Sequence, residues 1–181
     1  MMMGHARPYY ADRLAQYGYI GAADTLAYIM PPQYEAPAVM RKLVAYVKKR
    51  TVVRDLRRDR LDEELAILRD VFNDAWSENW GFVPFTEAEF AEIGRAMLHL
   101  AAPDMVQIAE VDGRPAAMIV ALPNLNEVIA DMGGRLLPFN WARLLWRLKV
   151  RYPRTARVPL MGVRKEFQNT RMGPGLAFTL I

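Results

Sequence analysis

The chain has 181 residues, 52% of them hydrophobic and 24% charged, a balance that excludes intrinsic disorder and fits a folded domain of ordinary size. It contains no cysteine, which rules out disulfide scaffolds, thiolate zinc sites, iron–sulfur clusters and cysteine nucleophiles. The net charge of +4 is unevenly spread: from Arg143 to Arg171 nine cations face a single acid, Glu166, and such a surface favours a nucleic acid, a phospholipid or a phosphorylated cofactor.

Residues 1–46 form a first segment. After Pro8-Tyr9-Tyr10, Leu14 and Tyr17 are spaced as one face of a short helix that Gly18 stops. Asp24 to Met30 reads as a short strand ended by Pro31-Pro32. A proline-bearing linker runs to Pro37, and a basic helix follows from Ala38 to about Lys49.

Residues 47–181 form the second segment. Thr51 to Arg54 is a β-branched strand. Asp59 is placed to cap a helix whose Leu61, Leu65, Leu68 and Phe72 make one apolar stripe. Thr86-Glu87-Ala88-Glu89 is a capping box that opens a further helix carrying Phe90, Ile93, Met97 and Leu100 on one face. Met105 to Val111 and Pro115 to Leu122 make a hairpin through Asp112-Gly113, a pair suited to a tight primed turn. An excursion from Pro123 to Pro153 contains one helix near Asn124 to Asp131 and another opened by Asn140. The second places Trp141, Leu144, Leu145 and Leu148 opposite Arg143 and Arg147. Ala156 to Val163 is a last strand, and the loop Arg164 to Gly175 leads into a helix start. The fold class is therefore α+β, with helices packed on a mostly antiparallel sheet.

Val163 to Gly175 carries the chemistry. A strand running through a loop into a helix gathers backbone N–H groups at the positive end of the helix dipole. Gly173 admits a phosphate close to the backbone, and Arg164, Lys165 and Arg171 add charge, so an anion site is expected there, a pyrophosphate above all. The pattern is neither a P-loop nor a dinucleotide fingerprint. Ser77, the only serine, lacks the glycines of a hydrolase elbow, and His5 and His99 stand far apart, so no metal site is expected.

Gly162-Val163 followed by Gln168-Asn169-Thr170-Arg171-Met172-Gly173 resembles the acyl-CoA loop of the GNAT (N-acetyltransferase) superfamily, with Arg171 standing where that pattern has its first glycine. The blocks Phe72 to Pro84 and Gly134 to Phe139 are similar to those of an uncharacterised bacterial GNAT-like group. The resemblance implies an incomplete GNAT-like fold in residues 47–181, its first two-thirds, with residues 1–46 resembling the tail of a preceding repeat plus a linker. It also implies an acyl-CoA-dependent N-acyltransferase using acetyl-CoA or another acyl-CoA, with direct attack by a small-molecule or peptide amine. Met161, Gly162 and Val163 would then hold the pantetheine arm, one of their N–H groups polarising the thioester carbonyl. Amides from Gln168 to Gly173 would hold the diphosphate. The alternative is a non-catalytic GNAT-like module that binds a ligand or partner.

On the same reading, Trp76 and Trp80 wall the acceptor site and Asn73 and Asn79 orient the acceptor, against a role for these residues as core and helix-end caps. Glu110 on the hairpin is the candidate base, relayed through water. The helix from Trp141 to Arg151 is expected to pack on the domain rather than lie on a membrane. A cytoplasmic chain with neither nucleic-acid nor membrane partner is expected, since no apolar stretch follows His5 and Arg7 and no apolar run spans a bilayer. An open sheet edge after Ala156–Val163 invites a homo-oligomer or a further C-terminal segment to complete the sheet.

Overall fold

The computed structural model describes residues 6–31 and 34–181. His5 and Pro32, on which two of the sequence readings bear, lie outside them. The chain divides into two units, residues 1–35 and 36–181.

In the first unit, helix α1 spans Tyr9–Gln16 and Gly18 follows with φ of 82°, the left-handed geometry that ends a helix. The expected strand from Asp24 to Met30 is not formed. Leu26, Tyr28 and Ile29 are all exposed, because a β-rich segment without a ladder partner leaves its backbone to water.

The second unit is built on four strands: β1 (Thr51–Asp55), β2 (Val106–Val111), β3 (Arg114–Pro123) and β4 (Ala156–Val163). They lie in the order β1-β2-β3-β4, every neighbour antiparallel. The β2–β3 turn has φ of 49° at Asp112 and 77° at Gly113, the two positive values a type I′ turn requires. Ala116 to Val120 is buried without interruption, so the centre of β3 faces apolar layers on both sides.

One layer is helix α3 (Leu61–Trp76) with α4 (Glu87–Leu98). Leu65, Leu68, Val71 and Phe72 of α3 pack with Phe90 of α4 onto Ile108, Met118 and Val120. The capping box at Thr86 and Glu89 is formed. Gly94 is explained by proximity: a Cβ there would stand 2.5 Å from Leu65 Cδ2. Asp59 does not cap α3; it lies in a 3-10 turn, Arg58–Arg60, and no side chain caps the helix. Asp62, Glu63 and Glu64 in the first turn complement the helix dipole instead.

The opposite layer is α2 (Ala38–Val47) with α8 (Met172–Thr179), whose Val47 and Leu176 meet Ala109, Ala117 and Ile119. The helix at 38–47, read from sequence as the end of the first segment, thus folds with the sheet. Between β3 and β4 an insertion carries α5 (Leu125–Ile129) and α6 (Asn140–Lys149). Asn140 Nδ2 donates to the Arg135 carbonyl at 2.6 Å, holding the loop before the helix. The architecture is α+β, a four-stranded antiparallel sheet flanked by helices. No helix among the described residues is long and apolar enough to cross a membrane.

Candidate functional site

Strand β4 is an edge strand, and its backbone parity follows from one bond. Arg164 N donates to Ala116 O at 2.8 Å, so Gly162 and Leu160, two and four residues earlier, turn their polar groups toward β3. Met161 and Val163 turn theirs outward. Two side chains confirm the parity: Trp76 Nε1 donates to Met161 O at 2.7 Å and Gln168 Nε2 to Val163 O at 2.8 Å. The outward carbonyls are thus covered, and the outward amides of Met161 and Val163 face the open edge. Register shifts between Val120 and Leu122, which adds a residue to β4 between Leu160 and Arg157. Pro159 sits in that bulge, where no ladder N–H is needed. Gly162 lets the strand press on α3, since a Cβ there would lie 2.9 Å from Ala75 Cβ.

The segment after β4 differs from the open loop expected. A short helix, α7 (Lys165–Gln168), comes first, and a turn joins it to α8. Thr170 N bonds Phe167 O, Met172 N bonds Thr170 Oγ1 and Gly173 N bonds Thr170 O, all within 3.3 Å. Those three amides close the turn. Gly173 is buried, and its missing Cβ would stand 2.6 Å from Phe167 O and 2.7 Å from Gln168 O, so the glycine serves backbone packing of α8 on α7. Gly173→Ala is expected to cost about 1–3 kcal/mol, because the obstacle is backbone that cannot swing aside; thermal unfolding checks it.

Two of the three cations around this turn, Arg164 and Lys165, are also engaged. Asp70 and Asp74 on the last turns of α3 and Glu78 in the turn after it recur every four residues. Arg164 Nη2 meets Asp70 Oδ2 at 2.5 Å, Lys165 N bonds Asp74 Oδ2 at 2.9 Å, and Lys165 Nζ meets Glu78 Oε1 at 2.7 Å. That hydrogen bond from Lys165 holds the Glu78 carboxyl below its ordinary pKa. Arg171 is exposed and forms no ion pair among the described residues. Asn169 is exposed beside it.

Asn73 is a tether: its amide donates to Phe85 O and accepts from Phe85 N, both at 2.9 Å, pinning the segment after α3. Trp76 stacks on Phe72 and bridges to β4. Asn79 and Trp80 are exposed, Trp80 by 79%. Glu110 binds Arg54 Nε at 2.6 Å. It belongs to a charge cluster with Glu64, only 1% exposed, which accepts from Arg54 Nη1 at 2.6 Å and pairs with Arg57 Nη2 at 3.0 Å. Burial pushes the Glu64 carboxyl up, but bonds from Arg54 and Arg57 outweigh it and hold the pKa below the ordinary value.

Two features had no sequence signal strong enough to single them out. The Trp76–Met161 bond joins residues 85 apart. Asp131 is gripped by Arg147 at 2.6 Å and Arg143 at 2.9 Å, which holds its carboxyl far below the ordinary range. From sequence those arginines are placed only opposite the apolar side of α6. Among the described residues no cluster of three or more histidines or carboxylates could hold a metal ion.

No family model matches the chain. It is 51% identical over 181 residues to Protein YghO of Escherichia coli (strain K12), a match covering 99% of this chain and 46% of that protein. It is 41% identical over 182 residues to the bacterial ceramide synthase of Caulobacter vibrioides (strain NA1000 / CB15N), covering 100% of this chain and 47% of the synthase. The chain spans about half the length of these curated relatives.

Proposed function

We propose that this chain carries the acyl-CoA-binding part of an N-acyltransferase of GNAT-like fold. The observation that supports it best is the outer edge of β4. Met161 and Val163 aim two amides away from the sheet while Trp76 and Gln168 occupy the neighbouring carbonyls. An edge offering donors rather than acceptors suits the amide carbonyls of a pantetheine arm and the oxygen of a thioester. The strand, two helices, antiparallel hairpin and strand, in that order, agree with the GNAT resemblance. A ceramide is an amide of a fatty acid with a long-chain amino alcohol, so the name of one relative is consistent with transfer of a fatty acyl group to an amine.

In the reaction the amine nitrogen attacks the thioester carbonyl, a C–N bond forms, the C–S bond breaks, and the thiolate takes up the proton the amine loses. The chain's part is to orient the acyl donor along β4 and to place an N–H where negative charge develops on the carbonyl oxygen. Glu110 is committed to Arg54, so proton removal from the amine is assigned to no residue of this chain.

Palmitoyl-CoA or acetyl-CoA is expected to raise the melting temperature, with stabilisation of about 2.7 kcal/mol at a hundredfold excess over Kd. Absence of any shift with either ligand would remove the reading. The internal bonding of Thr170, Met172 and Gly173 favours the second reading, a GNAT-like module without catalysis. That reading predicts neither a shift with acyl-CoA nor an amide product when an amine is added.

A further inference from the structure

Helix α6 buries none of its residues. Its inner side is anchored by Arg143 and Arg147 on Asp131 and by Arg147 Nη1 on the Val128 carbonyl at 2.6 Å. Elsewhere around the helix, in the loop before it and at the residue after it, Leu137 (76%), Phe139 (75%), Trp141 (51%), Leu145 (52%), Trp146 (50%) and Val150 (68%) are exposed, Leu145 at the rim of a cleft shared with Leu61 and Leu98. Six large apolar side chains grouped on one insertion exceed the scatter of single exposed hydrophobics on an ordinary surface. The helix packs one side on the domain, with Leu144 and Leu148 half-buried, and leaves these six side chains exposed.

The charge around this patch is predominantly positive, although Arg151 shares a cleft with Glu127 and Asp131. No aspartate or glutamate occurs between Asp131 and Glu166. Asp131 is already neutralised by its two arginines, whereas Arg135, Lys149 and Arg151 form no ion pair among the described residues. Cations beside protruding tryptophan, phenylalanine and leucine are the composition of a segment that lies in a bilayer interface, rings and aliphatics entering the acyl boundary while ammonium and guanidinium groups stay at headgroup level. A second copy of the chain suits the patch poorly, because a two-fold contact would bring these unpaired cations together.

We propose that the insertion between β3 and β4 docks the protein on an anionic lipid bilayer, with Leu137, Phe139, Trp141, Leu145, Trp146 and Val150 entering the interface and Arg135, Lys149 and Arg151 meeting lipid phosphates. The inference needs only this surface and is independent of acyl transfer. Because the insertion leaves the sheet at Pro123 and returns at Ala156, the docking face adjoins the start of β4, and the turn at 169–171 lies beyond the strand's other end.

The test is cosedimentation of the 181-residue chain with vesicles of phosphatidylcholine alone and of phosphatidylcholine mixed with phosphatidylglycerol, with no acyl-CoA present. Binding to the anionic vesicles is expected to be at least about tenfold tighter, to weaken with salt, and to shift tryptophan emission to the blue. Phe139→Ser with Trp146→Ser should weaken it roughly tenfold by removing inserted area. Lys149→Glu with Arg151→Glu should weaken binding to anionic vesicles by a similar factor and flatten the salt dependence. Circular dichroism checks the fold, and the charge pair remains decisive if the apolar pair unfolds. Failure to bind anionic vesicles at low salt overturns the proposal. So does binding that neither pair alters, or a dimer in light scattering that the apolar pair dissolves.

Discussion

Arg54→Met is expected to lower the unfolding free energy by about 3–5 kcal/mol, because it strands two carboxylates at once. Glu64 is almost fully buried and Glu110 half-buried, and Arg54 bonds each at 2.6 Å. Without it, Glu64 keeps only Arg57, a far more exposed partner. For a unit of this size the loss corresponds to a fall in melting temperature of roughly 10 °C, readable by scanning calorimetry. Adding Glu64→Leu should recover part of the loss, since replacing a buried ionic group with apolar side chains is far cheaper than breaking it. Arg54 Nη2 is itself buried without a partner among the described residues, so the cluster is not optimised for stability. The pH dependence follows from the lowered pKa of Glu64. Its stabilisation is complete above the unfolded value of about 4.3 and is lost as pH falls through the lower folded value. Glu64→Gln should therefore flatten the acid limb of the stability profile below pH of about 4. An unchanged acid limb would show that the cluster contributes nothing to acid unfolding.

On the proposed function, Met161→Pro should leave the fold intact yet remove acyl transfer. Its N–H points away from β3, so proline there forfeits no ladder bond, and Pro159 two residues earlier already sits in the same strand. If that amide polarises the thioester carbonyl, its loss costs about 10²–10³ in kcat, as for other oxyanion donors. Gly162→Pro is the control for inward parity: it removes a β3–β4 bond and should unfold the edge. A Met161→Pro protein that melts normally and turns over normally would move the thioester site elsewhere. The assay follows amide formation from palmitoyl-CoA and a long-chain amine, beside the melting curve of the same preparation.

Short-range pattern was enough for much of this architecture. The hairpin at Asp112-Gly113, the capping box at Thr86 and Glu89 and the stripe Leu61, Leu65, Leu68, Phe72 each rest on neighbours within a few residues, where steric and hydrogen-bonding rules act without help from the rest of the chain. The strand expected at 24–30 failed for the complementary reason: β-propensity needs a partner ladder, and nothing local supplies one. The candidate loop shows the same limit. Arginine and lysine followed by glycine are compatible with an anion cradle, yet Asp70, Asp74 and Glu78, roughly ninety residues earlier, determine where Arg164 and Lys165 spend their charge.

The four strands of the sheet with the main helices of the second unit, their order, and the position of β4 beside a glycine-bearing turn follow from residue pattern alone, because propensity and hydrophobic period are properties of contiguous segments. Which face of α6 remains uncovered, which amides of β4 look outward and which carboxylates Arg54 must satisfy are properties of pairs distant in the chain. These become defined only when packing brings the partners within hydrogen-bonding range, as Trp76 and Met161 show across 85 residues.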